Sequence, residues 1–153
     1  LKPQLVICDE AVSALDVSIR AQIIDLLISL QKDLGMAMVF ISHDLAVVRE
    51  ISHRVMVLYM GRVMEEASRD QLYSDARHPY TRALLTAAPI PDPAQERSRQ
   101  RVRLTGEPPS PFDHLSGLRF LPSRLPAQPS DPIYVPQLQE VAPGHRVAEF
   151  DAV

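Results

Sequence analysis

Two apolar stretches near the start of the chain end in polar side chains. Residues 5–8 are apolar and are followed directly by the carboxylates Asp9 and Glu10, and the apolar residues 36–41 are followed by a polar pair that includes His43. An uninterrupted apolar run is typical of a buried parallel strand, and the carboxyl ends of such strands form the edge where open α/β folds bind ligands. The pattern predicts an α/β fold with two acids and a histidine at one sheet edge.

The segment between these strands is predicted to be a helix. It runs from Val17 or Ser18 to Leu34, Asp16 or Ser18 can cap its start, and Gly35 can end it. A helix here forms a right-handed crossover between two parallel strands. Apolar residues recur at helical spacing at Ile19, Ile23, Leu26, Leu27, Leu30 and Leu34.

Shorter elements are predicted up to residue 88. Asp44 is placed to cap a short helix, Gly61 to form the turn of a hairpin, Ser68 to begin a capping box, and Pro79 to occupy the first turn of another helix. The predicted segments are a helix with Leu45, Val48 and Ile51 on one face, strands at 55–60 and 62–66, and helices at 68–73 and 80–88.

The composition changes after Ala88. Twelve of the 14 prolines lie from Pro89 onward, and proline removes a backbone donor and restricts the residue before it. Long helices and central strands are therefore disfavoured there, which predicts a domain at 1–88 and a Pro-rich, mostly irregular extension at 89–153. Within that extension, alternating arginines predict one charged face of an edge strand at Arg97, Arg99, Arg101 and Arg103.

The polar residues at the predicted sheet edge suit phosphoryl transfer to water. That reaction uses Mg²⁺ beside the β- and γ-phosphates and a group that positions or deprotonates the attacking water. Asp9 suits the first role and Glu10 the second. His43 suits a contact with the γ-phosphate or the water, since imidazole can donate a hydrogen bond without carrying a full charge.

The order and spacing of these residues resemble the second half of an ATP-binding cassette (ABC) transporter ATPase. Residues 5–10 resemble the Walker B strand, residues 13–16 the D-loop, and His43 the switch histidine. Within that superfamily, residues 9–18 and 78–85 resemble the oligopeptide and dipeptide importer subfamily. The four D-loop positions are Ser13, Ala14, Leu15 and Asp16.

The resemblance implies a role for each of these residues. It implies that Asp9 holds the Mg²⁺ of Mg-ATP, that Glu10 orients or activates water, and that His43 senses the γ-phosphate. It assigns Ser13 and Asp16, with the rest of the D-loop, to the interface with a second ABC ATPase subunit. The fold implied for 1–88 is the distal part of a P-loop ATPase domain, with parallel strands, crossover helices and a terminal hairpin.

The resemblance also implies partners and a location. The subunit would power import of peptides, or of a related small solute such as nickel or glutathione. Its partners would be a second ATPase subunit of the same or a different sequence, membrane permease subunits and, indirectly, a solute-binding protein. It would lie peripherally on the cytoplasmic face of the inner membrane.

Several family motifs do not occur in the sequence. There is no Gly-rich phosphate loop, Q-loop or Leu-Ser-Gly-Gly-Gln signature, and these supply most of the grip on nucleotide. We therefore expect the chain to be the carboxy-terminal part of a longer polypeptide and to be inactive as an ATPase by itself.

The extension departs from relatives that carry four cysteines able to ligate an iron-sulfur cluster. Cys8, at the end of the first apolar run, is the single cysteine, so we expect no cluster and no internal disulfide. The four cysteine positions correspond to Leu118, Leu125 or its neighbour, Tyr134 and Glu149, and apolar packing of Leu118, Phe120 and Ile133 is expected instead.

The net charge argues against one class of partner, and the remaining histidines give no sign of a metal site. The net charge of −3 gives no general attraction to nucleic acid, so none is expected as a partner. His53 and His145 lack metal-ligand spacing and are interpreted as surface or structural residues, and His78 as part of a turn and helix start. Two alternatives stay open: an ABC-type DNA-repair or chromosome ATPase, and a non-catalytic regulatory module that pairs with intact subunits.

Overall fold

The computed structural model describes residues 2–87 and 137–149. The chain divides into two compact units, which we call unit 1 (Leu1–His53) and unit 2 (Arg54–Val153). Both helices and strands are present, as the predicted α/β class requires. Within the described ranges, no helix has the length and apolar character needed to cross a membrane.

Unit 1 contains two parallel strands joined by a long helix. Strands β1 and β2 pair in register from Leu5 opposite Ala37 to Asp9 opposite Ile41, so the residues after both strands lie at the same sheet edge. The helix begins after Asp16 and ends at Gly35, which adopts the left-handed conformation (φ 60°) that favours glycine. These predictions are confirmed. The elements of unit 1 are β1 (Leu5–Asp9), α1 (Val17–Leu34), β2 (Ala37–Ile41) and α2 (Leu45–Ile51).

The core of unit 1 includes a residue of the loop that follows β1. Val12 is 2% exposed and clusters with Ile24 of α1 and Val47 of α2. A buried valine side chain contributes about 1.5–3 kcal/mol relative to an exposed one. Val12 therefore anchors residues 10–16 to both helices of the unit.

Unit 2 is built on a four-stranded antiparallel sheet. The strand order is β3-β4-β6-β5. Met60 and Gly61 both have positive φ and form the two-residue turn between β3 and β4, a geometry that matches the twist of the strands. The capping box at Ser68 and Gln71 is present. The elements of unit 2 are β3 (Arg54–Tyr59), β4 (Arg62–Ser68), α3 (Arg69–Ser74), α4 (Pro79–Ala87), β5 (Leu138–Ala142) and β6 (His145–Ala148).

Strands β5 and β6 correct the prediction for the extension. Central strands were expected to be disfavoured after Ala88, yet β6 pairs with β4 on one side and β5 on the other. The prolines hide this element because they are frequent in the extension as a whole, whereas the one proline within 138–148, Pro143, lies at the hairpin turn beside Gly144. The predictions for Arg97–Arg103, for Leu118, Phe120 and Ile133, and for the cysteine positions Leu118, Leu125 and Tyr134 lie outside the described residues.

A cluster of titratable side chains lies inside unit 2. Glu65 of β4 is fully buried and accepts hydrogen bonds from the backbone N–H groups of Arg77 (2.7 Å) and His78 (3.1 Å) and from Nε2 of His145 (2.7 Å). One carboxylate thus joins β4, the start of α4 and β6. His145 is structural, as one of the two interpretations held, and is not at the surface.

Candidate functional site

The site begins where β1 ends. Asp9 is the last residue of β1, and Glu10 follows with a positive φ of 45°, a conformation uncommon for residues other than glycine. The Glu10 N–H donates to the Ile41 carbonyl oxygen at 3.0 Å. This bond continues the β1–β2 pairing by one residue and sets the direction in which the chain leaves the sheet.

Glu10 and His43 meet at this edge. His43 Nδ1 lies 3.1 Å from Glu10 Oε1, although 33 residues separate the two along the chain. The side chains are 54% exposed for Glu10 and 73% for His43, so the pair is open to solvent. An exposed pair adds little to stability, and its two polar groups are accessible to a ligand.

The D-loop is fixed by hydrogen bonds at its two ends. At the first end, both the N–H and the hydroxyl of Ser13 donate to the Glu10 carbonyl oxygen, at 3.1 and 2.9 Å. At the other end, Asp16 caps α1 by accepting from the Ile19 N–H at 2.9 Å and the Ser18 hydroxyl at 2.8 Å. These hydrogen bonds, that of Ile19 foremost, lower the pKa of Asp16. Ser13, Ala14 and Asp16 are exposed, and Leu15 is partly buried.

The turn after β2 is held by Asp44. Its Oδ1 accepts from the Ala46 and Val47 N–H groups and so caps α2, as predicted. Its Oδ2 accepts from Arg20 Nη1 at 2.7 Å, and Arg20 Nη2 donates to the Leu15 carbonyl oxygen at 3.1 Å.

Arg20 was not among the candidate residues from the sequence. Its partner Asp44 lies 24 residues away, beyond the reach of helical or strand periodicity. One local signal was available: a cation close to the positive amino end of a helix is unfavourable unless something compensates for it. An arginine one turn after a helix cap therefore calls for an acceptor elsewhere in the fold.

Matches to known proteins place the chain in a family. A family model, described as the C-terminal region of oligopeptide/dipeptide transporters, matches residues 64–129. A probable peptide ABC transporter ATP-binding protein of Sinorhizobium fredii is 53% identical over 148 residues, covering 97% of this chain and 41% of the relative. The oligopeptide transport ATP-binding proteins OppF of Haemophilus influenzae and Salmonella typhimurium are 53% and 52% identical over 120 residues, 78% of this chain and 36% of each relative.

The chain belongs to the ABC transporter ATP-binding proteins of the oligopeptide/dipeptide branch. It spans about two fifths of the length of these curated relatives. These relatives are named for peptide transport, which makes the DNA-repair alternative the weaker one.

Within this ABC transporter chain, carboxylates are the side chains suited to a metal ion. Asp9 is exposed at the end of β1, next to the Glu10–His43 pair. Among residues 2–87 and 137–149, no three histidine, cysteine, aspartate or glutamate side chains group closely enough to hold a metal ion by themselves. An ion such as Mg²⁺, which takes one or two carboxylates and completes its shell with water and phosphate, fits the donors at this edge.

Proposed function

We propose that this chain is part of the ATP-hydrolysing subunit of an ABC importer for peptides or a related small solute. The observation that carries the proposal is the 3.1 Å contact between Glu10 and His43 at the end of two parallel strands. A carboxylate and an imidazole held together in the open are the groups that water activation and phosphate recognition require. The Gly-rich phosphate loop and the signature motif do not occur in this sequence, so they would lie elsewhere in the complete protein, and 1–153 alone would be inactive.

Each residue at the edge then has a distinct task. Asp9 would hold Mg²⁺, partly through water, and the ion would supply charge neutralisation at the phosphates. The Glu10 carboxylate would accept a hydrogen bond from the attacking water and orient it. Because Glu10 is half exposed, water reaches it without a change in the core of unit 1.

The protonation of His43 decides what it can offer a phosphate. When Nδ1–H donates to the Glu10 carboxylate, a neutral imidazole has an unprotonated Nε2, which accepts and does not donate. The imidazolium donates from both nitrogens. A hydrogen bond from His43 to a phosphate oxygen therefore requires either the charged ring or release of Nδ1 from Glu10.

The D-loop would contact a second ATPase subunit. The Ser13 hydroxyl donates to the Glu10 carbonyl oxygen, and one carboxylate oxygen of Asp16 accepts the hydrogen bond that caps α1. Both side chains are exposed, and the Ser13 hydroxyl oxygen can still accept a hydrogen bond, as can Asp16 Oδ2, because the cap uses Oδ1. The proposed interface therefore includes Ser13 and Asp16 together with Ala14 and Leu15. Ser13 joins the loop to the backbone carbonyl oxygen of Glu10, so a partner that displaces the loop would displace the backbone that carries the Glu10 carboxylate.

The proposed assembly contains this subunit, a second ABC ATPase subunit, membrane permease subunits and, indirectly, a solute-binding protein. The subunit would lie on the cytoplasmic face of the membrane and bind no nucleic acid. Closure on ATP and reopening after hydrolysis would alternate the access of the permeases. The non-catalytic regulatory module stays a prediction, and a stable native protein that begins near residue 1 would favour it.

The test uses the complete subunit that contains these residues. Glu10→Gln keeps the shape of the side chain and removes its charge, so ATP turnover should fall at least about 100-fold, as for loss of a general base, while ATP still binds. Glu50→Gln, which changes an exposed glutamate of α2, is the matched control and should turn over ATP normally. Turnover by Glu10→Gln equal to that of the control would refute the proposal.

A further inference from the structure

Arg20 contacts both loops that carry the candidate site. Nη1 donates to Asp44 Oδ2 at 2.7 Å, and Nη2 donates to the Leu15 carbonyl oxygen at 3.1 Å. Leu15 belongs to the D-loop, and Asp44 to the turn that carries His43. The planar guanidinium presents its donors at fixed angles, so a single side chain sets the relative position of the two loops.

The Asp44 carboxylate passes this constraint to His43. Oδ1 binds the first N–H groups of α2, Oδ2 binds Arg20, and the Asp44 N–H donates to the Ser42 hydroxyl at 3.0 Å. Residues 42 and 44 are therefore both tied down, and His43 lies between them. Because the His43 side chain is largely exposed, packing does not orient it, and its position depends on this backbone and on the contact with Glu10.

Two features of the environment of Arg20 are unfavourable for a cation. The side chain is 27% exposed, and within residues 2–87 and 137–149 its buried Nε has no hydrogen-bond partner. It also lies near the amino end of α1, where the helix dipole opposes a cation. The contact with the Asp44 carboxylate offsets both effects.

We propose that Arg20 is a positioning residue for ATP hydrolysis. It fixes the position of the D-loop relative to the turn that carries His43, so that Glu10 and His43 act together. The inference rests on the proposed function and deepens it. Arg20 touches neither nucleotide nor water in this scheme. Its effect on the reaction passes through Asp44 and Leu15, so loss of Arg20 should slow turnover more than it weakens ATP binding.

The first test compares variants of Arg20 in the complete subunit. Arg20→Met keeps the apolar stem and removes both contacts, so kcat should fall about tenfold or more, the scale expected for misplaced catalytic groups, with KM for ATP changed less than about twofold. Arg20→Lys can reach one acceptor but not both, and should restore part of the kcat. Lys32→Met removes one positive charge from the last turn of the same helix and should leave kcat and KM unchanged.

The second test asks whether Arg20 acts through Asp44. Asp44→Asn keeps an oxygen to cap α2 but places an amide N–H₂ against Nη1, so it should reproduce most of the loss of kcat. In the double variant Arg20→Met/Asp44→Asn, the loss should be smaller than the product of the two single losses, which is the signature of a shared pathway. If Arg20→Met fails to fold, Arg20→Lys and Asp44→Asn carry the test, with thermal unfolding measured alongside.

The outcomes separate this inference from the proposed function. If the unaltered subunit hydrolyses ATP, Glu10→Gln does not, and Arg20→Met keeps normal kcat, the role of Arg20 is wrong and the proposed function stands. Multiplicative losses in the double variant, or equal effects on kcat and KM, also overturn the role of Arg20. If the complete unaltered subunit hydrolyses no ATP in its assembly, the proposed function fails, and the role assigned to Arg20 fails with it.

Discussion

His145 Nε2 lies 2.7 Å from Glu65 Oε1 inside unit 2, with both side chains almost fully buried. The two residues are 80 positions apart, and their contact joins β6 to β4. Glu65 also accepts two backbone N–H groups at the start of α4. This buried carboxylate of β4 therefore has partners in two other segments, and it adds to the β4–β6 pairing that places the end of the described chain in the same sheet as the β3–β4 hairpin.

Glu65→Ala should destabilise unit 2 severely. The change leaves two buried donors, the His78 N–H and His145 Nε2, and the partly buried Arg77 N–H without their acceptor, and breaking such a buried pair typically costs about 3–5 kcal/mol. Thermal unfolding should shift to lower temperature, and hydrogen exchange should accelerate at residues 77–78. Asp75→Asn is the control, because it weakens the Asp75–Arg77 pair, whose side chains are half exposed, and should change stability by less than about 1 kcal/mol. Equal effects of the two changes would contradict a structural role for Glu65.

Unit 2 should lose stability as the pH falls below about 6.5, the ordinary pKa of histidine. Burial lowers the pKa of His78 to about 4, and its Nδ1 accepts the Tyr80 N–H at 3.1 Å, which a protonated Nδ1 cannot do. Between pH 6.5 and 4 the unfolded chain binds a proton at this histidine that the folded chain does not. The contribution of His78 to the stability of unit 2 is therefore fully present above pH 6.5 and decreases towards pH 4.

The measurement is the unfolding temperature of unit 2 from pH 7.5 to 4.5. His78→Gln retains an acceptor oxygen and does not titrate, so its pH dependence should be flatter than that of the unaltered protein. His53→Gln removes an exposed histidine and should leave the slope unchanged. A His78→Gln curve parallel to the unaltered one would show that His78 is not the titrating group.

Gly35→Ala should destabilise unit 1 without any steric clash. A Cβ at this position meets nothing within 4 Å, but the φ of 60° lies in the left-handed region, where a Cβ costs about 1–2 kcal/mol. Gly35→Asn is the matched variant, because asparagine tolerates this conformation, and it should cost less. The midpoints of denaturant unfolding distinguish them, and a Gly35→Ala protein as stable as Gly35→Asn would contradict a left-handed cap.

Local signals in the sequence predicted most of the elements but few of the long-range contacts. The Asp16 cap, the Gly35 end of α1 and the Ser68 capping box each depend on neighbours within a few residues, and each is present. The contact between Glu10 and His43 could be expected because parallel strands bring their carboxyl ends to one edge. No comparable rule linked Arg20 to Asp44, or Glu65 to His145, since neither pair shares an element.

The prolines show a second limit of sequence patterns. Their frequency across residues 89–153 indicated irregular structure, and the alternation of buried His145 and Val147 with exposed Arg146 was too short to oppose that average. β6 is stabilised by contacts with residues distant in sequence, namely its pairing with β4 and the hydrogen bond between His145 and Glu65. A short strand in a proline-rich region is therefore predicted poorly because its stability comes from tertiary contacts.

His43→Gln should separate phosphate recognition from water activation. Glutamine can still donate an amide hydrogen to Glu10 but cannot carry a positive charge or donate towards Glu10 and a phosphate from opposite sides of a ring. In the complete subunit, kcat should fall about 100-fold or more, the scale for loss of one aligned donor, while binding of ATP is retained because the phosphate loop is untouched. His53→Gln changes an exposed histidine of the same unit and should keep normal turnover. If the His43→Gln subunit kept more than about half of the normal kcat, its loss would be far smaller than that expected for one aligned donor. Glu10 would then work without the imidazole, and the 3.1 Å contact would have no catalytic role.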